Sequence, residues 1–287
     1  IVLDSDELMD THARAAVLHA RDLPSGTGDM DTSLYLLFRA IRSQSTVALS
    51  GESADEVFGG YRWFHDPEAV GADTFPWLAA FRRGRPPANV FDPALTRQLD
   101  LGGYMADRYR DALAEVPRLP GEDGLERRMR EVSYLHLTRF VQALLDRKDR
   151  MSMAVGLEVR VPFCDHRLVD YVFNAPWSLK TFDGREKSLL RAATRDLLPR
   201  SIVERVKSPY PSTQDPAYEQ KLRREMAALL ADEAAPVRPL LDLGNVRALL
   251  AEPVGDQRAL FAGPRGAMEM TLRLNSWLAD YGVHVAL

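Results

Sequence analysis

Apolar residues recur with a helical period along most of the chain. Within residues 4–22, which are mostly good helix formers, Ala13, Ala16, Val17 and Ala20 stand at i, i+3, i+4 and i+7 spacing. Pro24 to Gly28 read as a loop, and Asp31 is then placed to N-cap a helix with the apolar face Leu34, Leu37, Phe38 and Ile41. Thr46-Val47-Ala48-Leu49 breaks this rhythm. A short unbroken apolar run is the mark of a strand covered on both faces, so Val47 and Leu49 are expected to be buried. Residues 66–100 hold Pro67, Gly71, Pro76, Gly84, Pro86, Pro87 and Pro93, and should be irregular with short helices. The pattern is helical again over 103–154, broken at 117–124, with 134–145 apolar enough for a buried helix. Residues 156–163 read as extended or looped. Helices follow at 166–174, 185–197, 215–232 and 267–281, and 232–266 reads as a peripheral connection.

The balance of elements is lopsided. One strand is clear, with a second at most in Ile1-Val2-Leu3, and a sheet that small is not a stable unit by itself. Either the domain is essentially helical, or its sheet partners lie upstream of Ile1. The chain opens without Met, on what looks like the end of a buried strand, and the second alternative is the expectation here. The fold class is therefore α/β, helix-rich.

Composition narrows the function. The 287 residues are 46% hydrophobic, enough for a sizeable core. With 37 Lys and Arg against 41 Asp and Glu, the formal charge of −4 gives no overall basic field, so no nucleic-acid partner is expected. The single cysteine, Cys164, excludes an internal disulfide framework and suits a reducing, cytoplasmic setting. No apolar run approaches the ~20 residues of a membrane helix, and no membrane partner is expected. The six histidines show no metal-ligand spacing.

The chemistry concentrates in Leu49-Ser50-Gly51-Glu52-Ser53-Ala54-Asp55-Glu56-Val57-Phe58-Gly59-Gly60-Tyr61. A strand runs into a Ser-Gly turn and a short acidic helix, which is where open α/β sheets place their ligands. Glu52 with Asp55 and Glu56 would share a face if the turn is helical. Such a group suits Mg²⁺, which takes one or two carboxylates plus phosphate oxygens. Carboxylates in a helix's first turn also simply favour its dipole, by ~0.3–1 kcal/mol.

This segment resembles the synthetase domain of the glutamine-hydrolysing asparagine synthetase family, which carries Leu-Ser-Gly-Glu-Gly-x-Asp-Glu-x-Phe-Gly-Gly-Tyr; the chain departs from it at Ser53. A second block, Asp149 to Ala154 followed by Leu157 to Phe163 and Asp165, is similar to the family's D-R-M-S-M-A…L-E-x-R-V-P-F-x-D. A third, Gly184 to Lys187 with Leu190-Arg191, is similar to G-x-x-K-x-x-L-R, and Pro199, Ile202 and Lys207-Ser208 continue in order. The resemblance covers about residues 30–210. It implies part of a doubly wound parallel sheet of the adenine-nucleotide alpha-hydrolase type, mostly helical in this fragment. It also implies an enzyme, a carbon–nitrogen ligase, that adenylates the side-chain carboxylate of aspartate with ATP and Mg²⁺. Ammonia from glutamine, delivered by an N-terminal amidotransferase domain, then attacks the β-aspartyl-AMP.

By motif, Ser50 and Gly51 would bind ATP, Glu52 and Lys187 would be catalytic, and Asp55 would hold the metal. Glu56, Arg147, Glu158 and Arg160 are candidates for the site wall. For Glu158 and Arg160 a structural ion pair is the plainer reading, since they flank Val159 and point the same way in an extended segment. Arg147, Lys148 and Arg150 face either phosphate or solvent. The runs Arg82-Arg83-x-Arg85 and Arg127-Arg128-x-Arg130 read as surface, and Cys164 as a small apolar side chain. Lys187 would sit in the first turn of a helix opened by Asp183, with Glu186 as capping-box partner. A cation there opposes the helix dipole unless an anion is near.

The family's Ser-Gly-Gly-x-Asp-Ser loop is missing; Ser25-Gly26-Thr27-Gly28-Asp29 is similar, but no apolar strand precedes it. No Walker-type phosphate loop replaces it. The chain is accordingly expected to be a single C-terminal synthetase domain over residues 1–287, truncated at its N-terminus and inactive alone. Its expected partners are aspartate, ATP, ammonia and the missing amidotransferase domain, with a homodimer left open. The alternatives are a β-lactam synthetase or peptide cyclase relative, or a non-catalytic paralogue acting as a helical binding module. Glu52 stands where the β-lactam-forming relatives carry Tyr, which favours ammonia as nucleophile.

Overall fold

A computed structural model of the chain describes residues 2–25, 27–81, 88–254 and 263–286. The proline-broken stretch 82–87, with its Arg82-Arg83-x-Arg85 run, lies outside the described residues, as do Ile1 and Gly26. The elements that place the site are α1 (Thr11–Arg21), α2 (Asp29–Arg42), β1 (Val47–Leu49), α3 (Ala54–Phe58), α4 (Leu101–Ala114), α5 (Gly124–Leu135) and α6 (Val141–Met153). After them come β2 (Glu158–Arg160), α7 (His166–Phe173), α8 (Ser188–Ala193), α9 (Pro216–Ala231), α10 (Leu243–Ala251) and α11 (Pro264–Asp280). No described helix is long and apolar enough to cross a membrane.

The expected α/β character is present as a small parallel sheet among many helices. β1 and β2 pair in parallel, Val47 opposite Glu158, Ala48 opposite Val159 and Leu49 opposite Arg160, joined by the long crossover 50–157. Among the described residues the sheet has only these two strands, so each keeps one open edge. One face is covered by Val17 of α1, Leu34 and Phe38 of α2, and Met151 of α6, packed with Leu157, Ala48 and Val159. Among the described residues nothing covers the opposite face. Val47 is half-buried and Leu49 is 75% exposed, which corrects the expectation that both are buried. The strand is covered on one face, and nothing among the described residues packs over Leu49.

Other sequence expectations shift for local reasons. The helix expected over 4–22 is two, because Asp10 accepts a hydrogen bond from the Ala13 amide and caps a fresh start after Ser5–Leu8. α2 begins at Asp29 with Gly28 as N-cap, and Asp31 is turned inside instead. Only one side of 134–145 is buried, and His136–Phe140 forms a π-helical turn within it. Residues 232–266 are not peripheral where described. Val237, Leu240, Val246 and Leu249 join Leu222, Met226 and Met268 in the core between α9, α10 and α11.

Buried charge ties that C-terminal core to the sheet half. Arg147 Nε meets Asp31 Oδ1 at 2.5 Å, and Arg273 Nη1 lies 3.4 Å from Asp31 Oδ2. Arg265 Nη2 pairs with Asp29 Oδ1 at 2.5 Å, and its Nε lies 3.3 Å from Glu269. Burial pushes the Asp31 carboxyl up, but the two guanidiniums outweigh it and hold the carboxyl below its usual range. Burial pushes Glu269 up to about 7, against the pull of Arg265.

Candidate active site

The site begins where β1 ends. The Ser50 amide donates to the Arg160 carbonyl at 2.9 Å, extending the ladder by one residue, and the Glu52 amide then donates to Ser50 Oγ at 3.2 Å to turn the chain. Ser53 adopts a left-handed conformation (φ 73°) just before α3, so Glu52 lies in the turn and not on the helix. The three acidic groups consequently do not share one face. Asp55 projects toward the α8 region, while Glu56, 1% exposed, is turned inward. Gly59 caps α3 with φ 68°, and Gly60 follows. A Cβ on Gly60 would lie 1.9 Å from Asp55 Oδ1, so only glycine lets this turn close against the carboxylate.

Two lysines converge on Asp55 from distant parts of the chain. Lys187 Nζ lies 2.6 Å from Oδ1, and Lys207 Nζ pairs with Oδ2 while sitting 4.6 Å from the centre of the Tyr61 ring. Burial pushes the Asp55 carboxyl up, but hydrogen bonds and charge from the two lysines outweigh it and hold it below its usual range. Lys187 is not in a helix's first turn, as expected from Asp183 and Glu186. It is the N-cap of α8, with φ 56°, and Asp183 instead accepts from the Arg185 amide and the Ser188 hydroxyl. The anion that the dipole argument asked for is Asp55.

A third lysine completes the group. Lys148 Nζ of α6 donates to Ser50 Oγ at 2.9 Å and pairs with Glu52 Oε2 at 2.7 Å. Glu56 accepts from the Tyr61 hydroxyl at 2.6 Å through Oε1, and its Oε2 is buried with no hydrogen-bond partner among the described residues. Burial raises the Glu56 carboxyl to about 7, against the Tyr61 hydrogen bond, and the charges of Asp55 and Glu52 add to the rise. Ser50, Glu52 and Asp55 are half-buried and Gly51 is exposed, with open space where a Cβ would stand. The cluster thus sets Lys148, Lys187 and Lys207 against Glu52, Asp55 and a Glu56 carboxyl whose ionised form burial disfavours. Its excess of positive charge suits a phosphate-bearing ligand.

The wall candidates fare differently. Glu56 belongs to the cluster. Arg147 does not, because Asp31 and the Met30 carbonyl take its guanidinium into the interior. Glu158 and Arg160 do form an ion pair, at 2.8 Å, with side chains 56% and 62% exposed, so the pair stands in water. Arg150 pairs with Asp146 at the surface. The run Arg127-Arg128-x-Arg130 is not all surface: Arg130 is 8% exposed and bound to Glu122, and Arg128 reaches the carbonyls of Val70 and Ala72. Cys164 lies beside Phe163 as expected, and its Sγ also meets Ser53 Oγ at 2.8 Å.

Sequence reasoning placed Lys207 in the ordered motif run after Leu190-Arg191 without giving it a role in the site, and left Lys148 undecided. Lys148 had a signal: it precedes Met151 by one helical turn, and Met151 is fully buried, so Lys148 borders the covered face of α6. Lys207 had only its place in that motif run, because 205–215 carries no regular element from which periodicity could place its side chain. Among the described residues no set of three or more His, Cys, Asp and Glu side chains is arranged to hold a metal ion by itself.

Residues 1–279 match the family described as asparagine synthase. The chain is 38% identical over 99% of its length to asparagine synthetase [glutamine-hydrolyzing] 3 of Bacillus subtilis (strain 168), covering 46% of that relative. It is 29% identical to asparagine synthetase [glutamine-hydrolyzing] 1 of the same organism, over 62% of this chain and 32% of the relative. It is 28% identical to the Rattus norvegicus asparagine synthetase [glutamine-hydrolyzing], over 62% of this chain and 22% of the relative. The chain therefore spans less than half the length of these relatives. On the match of nearly all its residues, the chain belongs to the asparagine synthase family.

Proposed function

We propose that residues 1–287 form a synthetase domain that activates the β-carboxylate of aspartate with ATP and passes it to ammonia derived from glutamine, in a cytosolic enzyme. A carboxylate is a poor electrophile. Attack of its oxygen on the α-phosphorus of ATP forms the acyl-adenylate, with pyrophosphate leaving; ammonia then adds to the acyl carbon, AMP leaves, and asparagine results. The observation that carries this reading is Lys187 on Asp55, two motif residues from separate blocks brought to 2.6 Å.

Each residue has work that suits its surroundings. The exposed Gly51 and the Ser50 hydroxyl lie where a phosphate would approach at the strand end. Lys187 and Lys207 would neutralise charge that grows on the phosphates as pyrophosphate departs. Glu52 stands beside them and would orient the incoming amine. Glu56, buried behind Asp55 and bonded to the Tyr61 hydroxyl, would support the turn from inside and not touch the substrate.

The donor set fits Mg²⁺ in a limited sense. Asp55 is held below the usual carboxylate range by Lys187 and Lys207, which take both of its oxygens, so the ion would be accommodated as these lysines turn to the phosphates. One or two protein carboxylates suffice when phosphates supply the remaining ligands. Asp55, with Glu52 in the preceding turn, would hold the ion, which when bound supplies charge neutralisation on the phosphates.

The test uses Asp55→Asn and Lys187→Ala in a polypeptide carrying both amidotransferase and synthetase domains. Aspartate-dependent ATP–pyrophosphate exchange should fall by about 10²–10³, as when one transition-state charge partner is removed, while glutaminase activity persists. Exchange at the normal rate in either variant would refute the role given to that residue.

A further inference from the structure

Away from Asp55, the loop Leu119–Asp123, the first turn of α5 and the segment Phe173–Lys180 enclose a cavity of about 460 Å³. That volume lies within the ~300–1,000 Å³ range of small-molecule sites. Lys180 ends the short helix Trp177–Lys180 and is 3% exposed. Its ammonium forms no ion pair or hydrogen bond among the described residues, yet it is not sealed from solvent, so its open side is the cavity. A buried ammonium with three donors and no acceptor is costly to keep. Burial and the nearby Arg130 push its pKa down to about 8, with Glu126 opposing.

The other charges of the lining are spoken for. Glu122 is paired with Arg130 Nε at 2.7 Å. The Glu126 carboxylate accepts from the amides of Trp177 and Ser178 at 2.6 and 3.1 Å. What remains is one cation at the inner wall and, at the rim, exposed Asp123, which caps α5 without a side-chain hydrogen bond. Three carboxylates in the lining disfavour a polyanion, whereas a ligand with a single carboxylate inward and a cationic end outward meets both unpaired groups.

We propose that this cavity binds a small aminocarboxylate, with its carboxylate on Lys180 and its ammonium toward Asp123. The site is separate from the Asp55 cluster and does not rest on the function assigned there. γ-Aminobutyrate and butyrate are suitable probes, titrated by calorimetry into the full chain at neutral pH. γ-Aminobutyrate should bind one to one, about tenfold more weakly in Lys180→Met, where a charge-assisted hydrogen bond is lost. Asp123→Asn and the use of butyrate should each weaken binding several-fold, and Asp55→Asn should leave it unchanged. In the unsubstituted chain, the amide resonances of Ser178 and Lys180 should move during the titration, a readout that needs no variant to fold. Absence of γ-aminobutyrate binding at millimolar concentration, equal binding in Lys180→Met, butyrate binding as tightly, or resonance shifts confined to residues around Asp55 would each overturn the proposal.

Discussion

Glu56 offers a measurement in which the buried acid reports on itself. An ordinary glutamate titrates at 4.5, and this one is raised to about 7. At about 1.4 kcal/mol for each tenfold change in proton affinity, the gap corresponds to about 3 kcal/mol. The sign follows from linkage: the folded state holds the proton more tightly than the unfolded chain. The stabilisation is therefore fully present below pH 4.5, is lost as the pH rises toward 7, and is gone above it. Glu56→Gln keeps an acceptor for the Tyr61 hydroxyl but cannot ionise. Urea denaturation of both proteins at pH 4, 6 and 8 should show the variant gaining about 3 kcal/mol on the parent across that range. Titrating groups that do not interact with Glu56 cancel in the difference. Tyr61→Phe removes the hydrogen bond that favours the carboxylate, and should extend the loss in an otherwise intact chain past pH 7. A Glu56→Gln difference that stays flat with pH would refute the placement of this carboxyl in the interior.

Three further perturbations test other parts of the structure. Lys148→Met strips Glu52 and Ser50 of their partner at a partly exposed site; stability should change by less than ~1 kcal/mol, while synthetase activity of the two-domain polypeptide falls about tenfold. Arg265→Met leaves Asp29 and Glu269 buried without their cation, and guanidinium denaturation should show a loss of about 3–5 kcal/mol. Leu49→Thr should alter stability by no more than ~0.5 kcal/mol, because its side chain already stands in water; a loss of several kcal/mol would contradict the open sheet face.

The amphipathic helices and the strand before Ser50 were legible because periodicity and an apolar run are local signals. The identity of the Asp55 and Lys187 site came from ordered motif blocks, and the chain geometry adds how the two meet. What could not be read was set by distance along the chain. Asp31 looks like a cap in isolation, and only the arrival of Arg147 and Arg273 explains why it is buried. Lys207 sits in a segment without periodicity, so nothing local marks it as a neighbour of Asp55. Conversely, Leu49 reads as core because hydrophobicity states what a residue prefers and not whether a neighbour is there to cover it.

The open side of the sheet also bears on how the protein is to be handled. Along its free edge β1 turns the Val47 amide and carbonyl to Ser45 Oγ, and beyond them, beside exposed Leu49, no strand pairs with it among the described residues, so that end of the edge can template strands of other molecules. In concentrated stocks the chain is expected to self-associate, more so when salt screens its modest negative charge. Storage at low ionic strength, and a lysine placed along that border, should keep it dispersed.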